Sequence, residues 1–589
     1  MARIDYVVIA VYFAAMIAFG FWYRKRASRN LEAYFLGAKS MHWLALGMSG
    51  SVSFFDVTGT MWIVSILFVL GMRSMWVHWM WGFMMGAFCL AYMGKWCRRS
   101  NVMTGAEWML TRFGDGGGGL VARTASAVLA VFMTASFIGY AFQGIGKFAS
   151  VYIGLAPHTC AILIFAITTL YCLLGGLYSV VVTDVIQTVI LTFAGILIAA
   201  VAYTKLTPEL LAQLPADWAS LTPRWRLAEL AGGEHAEYEL FGALLIVWVL
   251  KGLLLNAGGP AQMYDFQRFV AARDARDAAK VGAVWSVFLI VRWGLVMGIC
   301  LLAITGVASH TDPEKVMPEV LQAYIPAGVR GFVIAGLLAA FMSTFSSTIN
   351  CGASYIVRDF WQRFVRPDAG ERHLVRVGYA ATVGIVVAGI LIGFQATSIK
   401  QIWDWMMMAL GAGVVMPNVL RWYWWRMNGW GYAAGTLAGI LFALVALFLP
   451  AAPLYIVFPT ICAGALAACI VATLATRPVD EAVLVAFYRN VRPFGAWGPV
   501  RAKAGLTPEE LAAPSESPWI AALNTALGMV AIAGCYLFPM YLVGHWHGRA
   551  LAWLLVALAA TAALAVTWYP NLPPRRGQEG GSPEGMAPP

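Results

Sequence analysis

An all-α polytopic membrane protein is the fold class the sequence predicts, with about 15 helices and a core of two inverted five-helix repeats. Three observations predict it. The 589 residues are 60% hydrophobic and only 12% charged, about half the ~25% charge of a soluble domain. Apolar runs near the ~20 residues that span a hydrocarbon core recur from end to end, without the short alternating strands of an outer-membrane barrel. Two of these runs are interrupted, at matching positions, by polar and glycine-rich backbone.

The spans fall near 4–23, 42–70, 76–96, 125–152, 158–177, 180–203, 239–268, 281–306, 330–357, 376–395, 401–424, 430–450, 455–474, 518–540 and 550–569. Residues 1–41 hold an extra helix and its loop, 42–203 the first repeat and 239–424 the second. Residues 425–570 form accessory helices with a cytoplasmic loop over 475–517, and 571–589 have the composition of a disordered tail. MARIDYVVIA does not read as a cleavable signal, because its basic cluster follows the apolar run.

Basic residues gather in the loops after the odd-numbered spans: FWYRKRASR, KWCRR, RFVAARDARDAAK, VRDFWQRFVRPDAGERHLVR and the stretch 477–503. The positive-inside rule then places the N-terminus outside and the C-terminus in the cytoplasm. The net charge of +11 therefore reports orientation in a membrane, not nucleic-acid binding. Nine scattered cysteines show no CxxC pair, and DGGGGL (115–120) lacks the GK[ST] of a phosphate loop. Neither a nucleophile–base pair nor HExxH appears, so an enzyme is not expected.

The second span carries SGSVSFFDVTGT (49–60), and the seventh carries LNAGGPAQMYDFQR (255–268). Gly258, Gly259 and Pro260 should break a helix. Irregular backbone at membrane depth survives only inside protein or along a cavity. Each break opens a set of five spans, the second to the sixth and the seventh to the eleventh. Because five is odd, the sets insert with opposite orientation, which points to a transporter site between two inverted repeats.

The ninth span adds a hydroxyl cluster, FMSTFSSTIN (341–350). On a helical wheel Ser343, Thr344, Ser346 and Ser347 fall within an arc of about 160°. A wall of neutral oxygens suits a small hard cation such as sodium, with carbonyls near Phe54 to Val57 in reach. The same hydroxyls could instead bond back to their own helix or serve close packing.

MSTFSSTINCGASYIVRDFW, LLGGLYSVVVTDVIQTVILTFAG (173–195), SGSVSFFDVTG and QRFVAARD together resemble the sodium:solute symporter family, in particular its proline-symporter branch. The resemblance covers about residues 1–475 and implies a leucine-transporter-type core of ten helices. It implies a first sodium site from carbonyls of Phe54, Val57 and Ala340 with hydroxyls of Ser343 and Thr344. Some members have a second site, matched here by Ser346, Ser347 and Asp184, with Ser343 shared. Phe54 is bulkier than the residue usual at its position.

For the solute, the polar and aromatic groups expected at the cavity are Asp56, Trp76, His78, Trp79, Lys251, Gln262, Tyr264, Arg292, Trp403 and Asp404. Ionisable groups within spans are functional by default. Arg292 could clasp a carboxylate through two parallel hydrogen bonds, favouring an amino acid or another organic anion. It could equally pair with Asp56, Asp265 or Asp404. His78 stands where sugar-transporting relatives carry an acidic ligand, which disfavours a sugar. The function expected is sodium-coupled import of a small organic solute by a monomer, with one or two sodium ions per cycle. A proton-coupled symporter and a solute-sensing receptor are the alternatives.

Overall fold

Backbone buried in lipid must satisfy its N–H and C=O groups internally, and helices do so residue by residue. The computed structural model describes residues 1–27, 41–78, 84–102, 104–233, 235–260, 263–306, 312–396, 398–446 and 453–574, and every secondary-structure element among them is helical. The longer helices are α1 (Arg3–Ala27), α2 (Trp43–Phe54), α3 (Val57–Leu70), α4 (Gly117–Ile153), α5 (Pro157–Lys205) and α6 (Phe241–Ala257). Then come α7 (Met263–Ala271), α8 (Ala275–Trp285), α9 (Ile290–Gly306), α10 (Val329–Tyr355), α11 (Glu371–Gln395) and α12 (Ile399–Asp404). The chain ends in α13 (Gly411–Tyr423), α14 (Gly429–Ala446), α15 (Leu454–Ala475), α16 (Glu481–Val491), α17 (Pro518–Val543) and α18 (His547–Thr567).

Among the described residues, 10 helices are long and apolar enough to cross a membrane, with Pro157–Leu170 and Phe241–Ala257 as shorter apolar ones. The expected count of about 15 is higher than these lengths reach. Two of the expected spans, 158–177 and 180–203, fall within the single helical stretch of α5.

Both expected breaks are present. The second span stops at Phe54 and resumes at Val57. In the seventh, α6 ends at Ala257 and α7 begins at Met263, after Gly259 turns through φ 120°, a backbone region that L side chains rarely adopt. A third interruption, at 286–289 between α8 and α9, was not expected, because SVFL carries neither Gly nor Pro. There the Trp285 carbonyl accepts the Ser51 hydroxyl from across the interface.

Around the first break, α2 packs on α5, α7, α8 and α10, which brings Asp184, the hydroxyl cluster and the post-break segment together. α10 is the most enclosed span: 94% of its most apolar window is buried, so its hydroxyls face protein rather than lipid. α1 is pinned beside α10 where Asp5 accepts N–H groups of Gly328 at 2.7 Å and Gly331 at 2.9 Å.

The segment after α15 folds back onto the core. Trp497 donates its indole N–H to the Trp422 carbonyl at 2.8 Å, and Phe487 on α16 meets the Trp108 ring edge-on at 5.5 Å. Glu516 closes the clasp on Arg99 at 2.9 Å and Lys95 at 3.2 Å. Burial by itself would raise the Glu516 carboxyl; Arg99 and Lys95 outweigh it and hold it at about 2. A carboxylate depressed this way stabilises the fold fully above its ordinary pKa and loses that contribution as pH falls through about 2. Glu516→Gln should therefore lower the melting temperature at neutral pH, by the equivalent of about 3 kcal/mol. The deficit should shrink as pH drops from about 4.5; a deficit independent of pH would refute the assignment.

Candidate functional site

Asp56 sits in the gap between α2 and α3. Its carboxylate accepts the N–H of Thr58 at 2.7 Å and of Gly59 at 2.9 Å, capping the positive end of α3. The Tyr140 hydroxyl reaches the same carboxylate at 3.3 Å. A Cβ at position 59 would lie 2.7 Å from Asp56 Oδ2, so any side chain there would push the capping carboxylate aside.

Arg292, buried on α9, donates to the Phe54 carbonyl at 2.5 Å, to Thr60 Oγ1 at 3.1 Å and to the Asp56 carbonyl at 3.4 Å. They flank the break: the Phe54 carbonyl ends α2, while the Asp56 carbonyl also accepts the Thr60 N–H at 2.9 Å in the first turn of α3. The guanidinium thus props the break open from behind, and the Phe54 carbonyl points to it. This shifts the expected carbonyl by one residue. The oxygen beside the hydroxyl cluster belongs to Ser53, which accepts from Thr344 Oγ1 at 2.7 Å. Thr344 also donates to the Ala340 carbonyl at 3.1 Å, and Ser343 Oγ lies 3.5 Å from Ser53 Oγ. Val57 opens α3 and is fully buried. The structure therefore joins the Ser53 and Ala340 carbonyls through Thr344, with Ser343 beside them between the Ser53 hydroxyl and the Asp184 carboxylate.

The other hydroxyls divide by geometry. Thr348 donates to the Thr344 carbonyl at 2.7 Å and Ser346 to the Ser343 carbonyl at 3.1 Å, both along their own helix. Ser347 faces a cation that the sequence reading did not single out. Arg268, on α7, donates to Ser347 Oγ at 2.8 Å, to Ser53 Oγ at 2.5 Å and, through Nε, to Ser49 Oγ at 3.1 Å. Asp184 Oδ2 stands 3.7 Å from the guanidinium and accepts the Ser49 hydroxyl. Both partners are about 1% exposed. A guanidinium thus occupies the space between Asp184 and Ser347 that the second-sodium expectation gave to an ion. The readable signal was the Gln-Arg pair in QRFVAARD, placed on the helix that follows the second break.

Among the expected solute groups, Trp403 stacks between Trp62 (5.2 Å) and Tyr140 (5.0 Å), and His78 lies against Trp62 at 4.8 Å. Neither ring nitrogen of His78 has a hydrogen-bond partner among the described residues. Trp76 donates to the Leu221 carbonyl at 2.7 Å, away from the break. Asp404 is held by Lys400 at 2.6 Å. Trp79, Gln262 and the Tyr264 side chain lie outside the described residues. Lys251 lines a cavity at the second break, with its ammonium 4.0 Å from the Trp248 ring centroid.

Two interrupted helices, with buried cations and hydroxyls gathered beside the first break, define a helical secondary transporter. The family model "Sodium:solute symporter family" matches residues 34–439, and the chain belongs to that family. It is similar to the sodium/glucose cotransporter of Vibrio parahaemolyticus, 26% identical over 76% of this chain and 86% of the relative. It is also similar to the osmoregulated proline transporter OpuE of Bacillus subtilis (strain 168), 23% identical over 74% and 88%. Its fold is that of a substrate-bound, outward-open Na+-coupled sialic acid symporter, with TM-score 0.65 and 17% identity over 81% of this chain and 99% of that one. The core is thus the leucine-transporter type, and the protein is a multi-pass, sodium-coupled symporter of a small solute rather than an enzyme.

Proposed function

We infer that the protein imports a small organic solute with one sodium ion per cycle, bound where the Ser343 and Thr344 hydroxyls meet the Ser53 and Ala340 carbonyls. The observation that carries this reading is the double contact of Thr344 Oγ1, at 2.7 Å to Ser53 and 3.1 Å to Ala340. One hydroxyl already bridges α2 and α10; a cation entering there would be held by both helices at once. Val57, at the start of α3, is the candidate for a further carbonyl. Sodium would thereby lock the first break against α10 and stabilise the conformation that accepts solute, which is the differential interaction coupling requires.

Entry of one sodium contributes its concentration difference and about 2.3 kcal/mol per 100 mV, a voltage share that a zwitterionic solute leaves intact and that a monoanionic solute cancels. The solute reading remains an amino acid or another organic anion. Arg292 enters it as the prop of the break rather than as the anion clamp, because its donors are committed to backbone oxygens and Thr60. Uptake of a labelled solute panel into proteoliposomes should require an inward sodium gradient. Uptake that follows a proton gradient and ignores sodium would overturn the reading.

A further inference from the structure

The cavity at the second break has a chemistry of its own. It is about 80 Å³, room for a few waters or a solute of a few heavy atoms. Its walls are largely apolar, with Met133 and Phe137 of α4, Leu255 of α6, and Met406 between α12 and α13. Residues 405–410 wind as a π-helix there, a local widening frequent at functional sites. Among the described lining residues there are two cations, Lys251 and Arg421, and no acid.

Lys251 is 1% exposed, and its ammonium has no hydrogen-bond acceptor among the described residues. Its one close neighbour of opposite character is the face of Trp248. Asp404, the acid whose field reaches it, is already bonded to Lys400 at 2.6 Å. Arg421 donates to the Gly258 carbonyl at 3.4 Å and lies 4.8 Å from the Trp108 ring centroid. Gly258 is seven residues from Lys251 along the chain, about 10 Å by helical rise, so the cations mark a path past the break rather than one shared clamp. A desolvated ammonium is costly unless it is paired, and an apolar chamber with a cation at its edge complements a carboxylate with a short hydrocarbon body.

We propose that this cavity is the solute site and that it takes a small organic monocarboxylate, with Lys251 as the counter-ion and the apolar walls holding the carbon chain. This rests on the symport reading and names its substrate class. An amino-acid zwitterion fits less well, because no acid stands among the described lining residues to receive its ammonium.

The test uses the full-length protein in lipid nanodiscs, with acetate, propionate, butyrate and lactate as probes, their amides as neutral isosteres, and proline and glucose as rivals. Carboxylates should raise the melting temperature, and the amides, proline and glucose should not. Lys251→Gln should weaken carboxylate binding about tenfold to a hundredfold, the size of a charge-assisted hydrogen bond, whereas Lys251→Arg should retain most of it. Because Lys251 has no acceptor among the described residues, Lys251→Met should melt higher than the parent without solute; a lower melting point would assign Lys251 a structural role and overturn the proposal. Equal stabilisation by chloride, by an amide or by proline would also overturn it. Running each arm in sodium and in choline separates the two readings. Carboxylate binding indifferent to sodium would remove the coupling and keep the anion site, whereas sodium-dependent binding of a neutral solute would do the reverse.

Discussion

Arg268→Gln is expected to lower the melting temperature sharply and to make it depend on sodium more steeply than in the parent. The guanidinium is bonded to Ser49, Ser53 and Ser347 and lies 3.7 Å from Asp184, with both charges about 1% exposed. Removing one partner of such a pair strands the other, at a cost of about 3–5 kcal/mol. The stranded Asp184 and three serine oxygens then form an anionic pocket that sodium can fill, and binding to the folded state alone restores stability by mass action. Against the logarithm of sodium concentration, stability should rise with the slope of one bound ion in the parent and of two in the variant. Adding Asp184→Asn to Arg268→Gln removes the stranded charge and should recover most of the loss without sodium. A parent with the two-ion slope, or a single variant that melts alike in sodium and choline, would show that Arg268 does not stand in for an ion.

The next largest effect is expected at Thr344. Thr344→Val removes the hydroxyl that bridges Ser53 and Ala340, and Ser343→Ala removes its neighbour. Each should raise the sodium concentration for half-maximal uptake by about tenfold or more, taking a hydrogen bond or ligand to a charge as about 1.5–3 kcal/mol. Thr348→Ala serves as the control on the same helix. Its hydroxyl bonds back to the Thr344 carbonyl at 2.7 Å, and its loss should leave sodium affinity within about twofold, since such back-bonding contributes little to helix stability. Equal shifts at positions 344 and 348 would reject the geometry.

How much of this was legible follows from which physics leaves a trace in sequence. The two breaks were readable because Gly258, Gly259 and Pro260, and Asp56 among small residues, are chemically unlike a lipid-facing helix. The interruption at 286–289 was not, because SVFL is as apolar as its flanks and the break is held by a distant residue, Ser51. The hydroxyl wheel grouped Ser343, Thr344, Ser346 and Ser347 on one arc, yet spacing could not say which carbonyl of the facing helix would meet them, and register across an interface placed Ser53 beside Thr344. Arg292 was visible as a charge inside a span, but its partners lie more than 200 residues away. Arg268 was hidden differently: it follows a break and precedes a basic loop, so its position reads as membrane edge until the tertiary packing of α7 against α2 carries it inward.

The tethered guanidinium also bears on how the transporter responds to voltage. A charge fixed to α7 returns with the protein in every cycle and moves nothing net across the bilayer. With the proposed solute and stoichiometry, one sodium entering with one monocarboxylate would be electrically silent. Such a carrier would draw on the sodium concentration ratio alone, keep working when the membrane is depolarised, and concentrate its solute no further than sodium itself is concentrated on the opposite side.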